Sequence, residues 1–225
     1  MTTTTPQPRT RIRSWQDWAV PAGLIALSLV PVVAGSLRLV ELGGGAQVIP
    51  SGGRDYADAP GFLITHIVAI TVYALLGAFQ FAPRFRARRR GWHRVAGRLL
   101  VVCGIVGAVS GLWLSLFQHR PDISPLLTAF RLVVGTAWVT FLVLGFTAIR
   151  RRNPTRHREW MIRAYAIALG AGTQAFTFGA WQLAVGDSTG VAEALLMLAG
   201  WLINLAVAEW TIRRHPRAAV VRRAP

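Results

Sequence analysis

Six uncharged or nearly uncharged apolar runs alternate with arginine bursts along the chain: Ala19–Leu37, Ala59–Pro83, Leu99–Gln118, Ile123–Ile149 (broken only by Arg131), Ala164–Gly186 and Val191–Ile212. Each is close to the roughly 20 residues that a helix needs to cross a bilayer. The pattern predicts an all-α fold, a six-span transmembrane helical bundle. Residues 17–212 form the membrane domain, between tails 1–16 and 213–225 that lack apolar periodicity and read as disordered. Pro21 and Pro31 are expected to bend the first span, which membrane helices tolerate when neighbours satisfy the freed carbonyls. That run is longer than the roughly 7–15-residue core of a signal peptide and lacks a small-residue cleavage pattern, so it reads as a retained span.

Charge fixes the orientation of these spans. All 25 basic residues are arginine, against 9 acids, for a net charge of +16. Alone, that balance suggests nucleic acid, but a mean hydropathy of +0.42 with 53% hydrophobic residues excludes a small soluble nucleic-acid-binding domain. With the N-terminal side taken as inside, 21 arginines fall inside and 4 (Arg38, Arg54, Arg120, Arg131) outside. By the positive-inside rule both termini are cytoplasmic. The excess also predicts attraction to anionic inner-leaflet lipid, at about 1 kcal/mol per arginine near the surface. Glu41, Asp55, Asp58, Asp122 and Asp187 sit in the outer loops. Cys103 is the single cysteine and lies within an apolar run, which excludes an intrachain disulfide.

The two inner loops resemble each other. Each carries an arginine burst and then a His-Arg pair opening an outgoing span, His93-Arg94 with Arg98 in the first and His157-Arg158 with Arg163 in the second. Spans two–three and four–five therefore read as a parallel repeat, an arrangement that tends to place sites at its interface. The inner candidate site is His93, Arg94, Arg98, His157, Arg158 and Arg163, with Gln80, Glu159, Trp160 and Glu209 nearby. The bland alternative is that the arginines bind lipid phosphates and the histidines bond helix carbonyls. The outer candidate site is His66, Arg131, His119 and Gln182, with Glu193. An arginine about 8–10 Å below the surface is costly unless it faces the bundle interior and finds a partner, or snorkels to the interface.

Two histidines on different helices suit one b-type haem, with His93 and His157, or alternatively His66 and His119, as iron ligands; neighbouring arginines would meet the propionates. Gly104, Gly107 and Gly111, and likewise Gly170, Gly172 and Gly179, read as close helix contacts. Trp15, Trp18, Trp92, Trp113, Trp160, Trp181 and Trp210 read as interfacial belts. Phosphate loops, HExxH and hydrolase signatures are absent.

HR-x-x-GR at His93–Arg98, HR-x-WM-x-R at His157–Arg163 and the preceding His66 resemble a family of bacterial predicted membrane proteins classed as a domain of unknown function. The likeness spans roughly Gly61 to Gly179 and implies a polytopic protein of the bacterial inner membrane. Near Gln174 that family often has arginine, where this chain has glutamine. A looser likeness is to transmembrane cytochromes b that hold two haems through four histidines, but Arg131 stands where a fourth-span histidine is needed. Three functions follow as expectations. One is a membrane redox component binding one b-type haem or a quinone. Another is a small-molecule or lipid transporter with Arg131 and His66 at its site. The last is a scaffold working with a partner subunit or as a homo-oligomer.

Overall fold

The computed structural model describes residues 16–46, 60–117 and 124–214, all helical apart from short connections. The tails, the first two outer loops and His119 lie outside the described residues. The helices are α1 (Gln16–Leu42), α2 (Pro60–Ala78, extended by a 3-10 turn at Phe79–Phe81), α3 (Pro83–Arg88), α4 (Arg90–Phe117), α5 (Pro125–Arg150), α6 (Pro154–Ala168), α7 (Gly170–Ala184) and α8 (Gly190–Arg214). Local sequence explains the starts of two of them. Ser124 accepts from Leu127 N at 3.2 Å and Asn153 from Arg156 N at 3.0 Å, each before a proline in the first turn. Proline fits there because its missing N–H has no intrahelical role. The end of α5 is a left-handed cap. Arg152 has φ 57°, while Arg152 N bonds Ile149 O and Asn153 N bonds Ala148 O, which reverses the chain onto α6.

Antiparallel neighbours build the bundle. A side chain at Gly104, Gly107 or Gly111 of α4 would collide with Tyr73, Ile70 or His66 of α2, so these glycines set how closely the two helices lie. Gly104 and Gly107 also face Leu142 and Trp138 of α5. The buried centre is Tyr73, Leu100, Trp138, Leu142, Tyr165 and Ile167, with Tyr165 donating its hydroxyl to Ala74 O at 2.6 Å. Proline 31 stays inside a continuous α1. The carbonyl four residues before it, Leu27 O, lies directly against Gly172 of α7.

Five helices are long and apolar enough to cross a membrane: Trp18–Leu42, Pro60–Phe81, Arg90–Phe117, Pro125–Arg150 and Gly190–Arg214. The run Ala164–Gly186, expected as one span, is divided between α6 and α7 at Leu169. Polar bonds to α8 hold the break. Asn204 Nδ2 donates to Ala166 O at 3.1 Å, and Thr173 Oγ1 donates to Asn204 Oδ1 at 2.6 Å. Further along, Gln174 Nε2 donates to Met197 O at 2.9 Å and Thr177 Oγ1 to Leu196 O at 3.0 Å. Gly170 admits the Trp201 ring, whereas Gly179 meets open space and has no close-contact role. From Arg163–Glu209 through Thr177–Leu196 the pairing with α8 runs in one antiparallel register, so α6 and α7 lie end to end along it.

Candidate functional site

The arginine-rich end of the bundle gathers the end of α2, α3, the start of α4, the end of α5, α6 and the end of α8. His157, Arg163 and Glu209 of the expected polar groups have protein partners there. His157 sits half-buried one turn into α6 and donates from Nδ1 to Gly145 O of α5 at 2.8 Å. A carbonyl only accepts, so the proton is on Nδ1 and Nε2 is the basic nitrogen. Arg163 forms a bidentate pair with Glu209 of α8, Nε to Oε1 at 2.5 Å and Nη2 to Oε2 at 3.1 Å. Its guanidinium also lies 4.8 Å from the centre of the Trp160 ring. Glu209 stands 46 positions from Arg163, and their pairing follows from α6 and α8 lying side by side.

Gln80 and His93 differ from these. Neither the Nε2 nor the Oε1 of Gln80, nor the Nδ1 of His93, has a hydrogen-bond partner among the described residues, and all three atoms are buried. Leaving such a group unsatisfied costs about 1–3 kcal/mol, so three of them mark a place that a polar partner would stabilise. Arg86 and His157 lie close enough to act on the charge of His93. The α2–α4 register pairs His66 with Gly111, Ile70 with Gly107 and Tyr73 with Gly104. Continued to the end of α2, it sets Gln80 at the level of Ala96 and Gly97 along α4. His93 is then about one helical turn, roughly 5.4 Å, nearer the arginine-rich surface. Phe81, which follows Gln80 in the chain, packs on Tyr165 at 4.9 Å, and Tyr165 on Tyr73 at 5.8 Å between centroids.

The other predicted residues fall elsewhere. Arg94 and Arg98 are exposed on the outward face of α4, while Arg158 and Glu159 are half-buried in α6. His66, near the opposite end of α2, donates from Nδ1 to Gly107 O at 2.8 Å and packs against Gly111. Arg131 is half-buried in α5 and engaged by neighbours. Gln182 donates to Asp187 at 3.2 Å on the exposed end of α7. The structure therefore brings His93, His157 and Gln80 to one end of the bundle and keeps His66 and Gln182 at the other. Among the described residues no three His, Cys, Asp or Glu side chains cluster as a metal site.

The two hairpins that carry the His-Arg motifs are not equivalent in detail. His157 reaches a carbonyl of its own hairpin, whereas His93 Nδ1 reaches none, and α4 is continuous where the α6–α7 rod is broken. Among known proteins, the matching family is described as predicted membrane protein (DUF2306), and its sequence profile covers residues 63–212, 150 of the 225. That stretch holds both motifs, His66, Gln80 and Glu209. No curated protein and no solved structure matches the chain. With its long apolar helices, its paired motifs and this match, the chain belongs to the DUF2306 family of predicted membrane proteins.

Proposed function

We propose that this protein is a membrane redox component that binds the headgroup of a quinone at the arginine-rich end of the bundle. The observation that carries this reading is the buried, unpartnered amide of Gln80 together with His93 Nδ1. A quinone headgroup carries two carbonyl oxygens, each of which can accept a hydrogen bond. The amide N–H of Gln80 and an imidazole N–H of His93 would each donate to one of them. In the hydroquinone, the Gln80 carbonyl would accept from a ring hydroxyl. Phe81, Tyr165 and Tyr73 supply the apolar wall that an aromatic headgroup needs.

Titration of the detergent-purified protein with a short-tailed quinone, read by tryptophan fluorescence, tests this directly. Saturable binding that falls at least tenfold in Gln80→Leu and His93→Ala is the expected result. Unchanged binding in both variants, or none in the parent protein, removes the proposal.

One observation favours a second reading, a single b-type haem. His157 is held through Nδ1 as iron-ligating imidazoles are, with Nε2 left for a metal. His93 would be the partner ligand and Arg158, half-buried next to His157, would serve a propionate; Arg94 and Arg98 face away from the bundle and Arg163 is paired with Glu209. A reduced-minus-oxidised visible spectrum of protein from haem-supplemented cells separates the readings. A sharp b-type band lost in His157→Ala supports haem, and a colourless folded preparation rejects it.

For the membrane arrangement we propose six crossings, with α6 and α7 together making the fifth and both termini on the cytoplasmic side of a bacterial inner membrane. The single register of the α6–α7 rod along α8 supports the count, and the arginine bursts at one end support the orientation. Reporter fusions after Arg89, Arg151 and Arg214 are expected to report the same, cytoplasmic side. A fusion after Arg151 reporting the opposite side from one after Arg214 would refute the count.

A further inference from the structure

We infer that the outward ridge of α4 holds a resident anionic phospholipid, its phosphate between Arg94 and Arg98 and an acyl chain along Val102, Val106 and Val109. This is independent of the quinone reading, because it concerns the opposite face of the helix from the bundle interior. The exposed positions of α4 recur every three or four residues: Arg94 and Val95, Arg98 and Leu99, Val102, Val106 and Val109. That spacing places them on one continuous stripe. The stripe is basic at its top and wholly apolar below, the profile of a phospholipid standing upright in a leaflet.

Charge identifies the headgroup. Residues 60–117, which make α2, α3 and α4, contain seven arginines and no aspartate or glutamate. Neither Arg94 nor Arg98 makes an ion pair or hydrogen bond with another described side chain. The two guanidiniums are about one turn apart on the same face, which suits a phosphate accepting from both. Depth separates them from the rest of the burst. The α2–α4 register sets Arg98 level with Phe79, alongside the last turns of the apolar α2. By contrast, Arg86 and Arg88 lie on the short α3, which offers no apolar continuation for a chain.

Native mass spectrometry of the protein released from phosphatidylcholine nanodiscs containing a minor fraction of phosphatidylglycerol provides the test. The parent protein is expected to retain one phosphatidylglycerol in preference to phosphatidylcholine. Each of Arg94→Gln and Arg98→Gln should weaken retention about fivefold, and the pair about 25-fold. Arg151→Gln/Arg152→Gln removes the same charge from another burst and should leave retention near the parent value. Equal loss in that control, or none in Arg94→Gln/Arg98→Gln, overturns the site. Displacement by glycerol phosphate at concentrations matching the lipid would also overturn it, since a bare anion gains nothing from the valine ridge. Because both arginines are exposed, the variants keep the core, and unchanged helical circular dichroism checks that they fold.

Discussion

Replacing Gln80 by methionine tests the reasoning about the site through stability rather than binding. Methionine has nearly the length and volume of glutamine and no strong hydrogen-bonding group, so it fills the same space in the Phe79–Phe81 turn without asking for partners. Both amide atoms of Gln80 are buried and unpartnered among the described residues. At about 1–3 kcal/mol for each unsatisfied group, relief of even a third of the demand of the two atoms stabilises the ligand-free protein by about 1–2 kcal/mol. For a chain of this size, 1 kcal/mol corresponds to roughly 2–4 °C, which places the expected rise in Tm at about 2–8 °C. Tryptophan fluorescence during a thermal ramp in detergent, after washing to remove co-purified small molecules, measures it. The same variant should lose quinone binding, the trade expected where a site is kept polar at a cost in stability. A Tm equal to or below the parent value would refute the argument, because the amide would then be shown to have partners in the folded protein.

Three further outcomes follow from other parts of the fold. Asn204→Leu leaves Ala166 O and Thr173 Oγ1 without the side chain that joins them, and should lower stability by about 1–2 kcal/mol in the same thermal assay. A double-mutant cycle on Arg163→Gln and Glu209→Gln should give a coupling of about 0.5–1 kcal/mol that shrinks with added salt; both side chains are partly exposed, at 20% and 37%, so a value above 3 kcal/mol would contradict the screening argument. Arg152→Gly relieves a left-handed residue at φ 57° and should raise stability by up to about 1 kcal/mol, whereas a loss would mean that the guanidinium itself has a role in the turn.

Hydropathy alone located the long helices, because nothing but a span explains uncharged runs of that length. The break at Leu169 was not legible, since no proline marks it. The bonds that hold it come from Asn204, 38 positions away from Ala166. The glycines at 170 and 172 were read correctly as close contacts, yet the partners they admit, Trp201 and Leu27 O, depend on which helices become neighbours. In the site, the His-Arg motifs drew attention to His93 and His157 through their repetition. Nothing in the motif distinguishes them, although His157 is bonded to Gly145 O and His93 Nδ1 is not. Gln80 stood only among the supporting residues, because an amide in sequence gives no sign of whether its partners will be present.

The polar seam between α7 and α8 bears on how the chain reaches the bilayer. Thr173, Gln174, Thr177 and Asn204 bond across that seam or to backbone carbonyls along it. Thr177 also donates to Gln174 O within its own helix at 3.0 Å, but the side chains of Thr173, Gln174 and Asn204 bond to a neighbouring helix, and hydrocarbon supplies no such partner. If α6 and α7 form a crossing as proposed, insertion of the last two helices as a hairpin is the expected route, with α7 held until α8 has been synthesised. A ribosome-released chain ending at Val185 is expected to be recognised as unassembled and degraded, while co-expressing residues 186–225 as a separate peptide should rescue it.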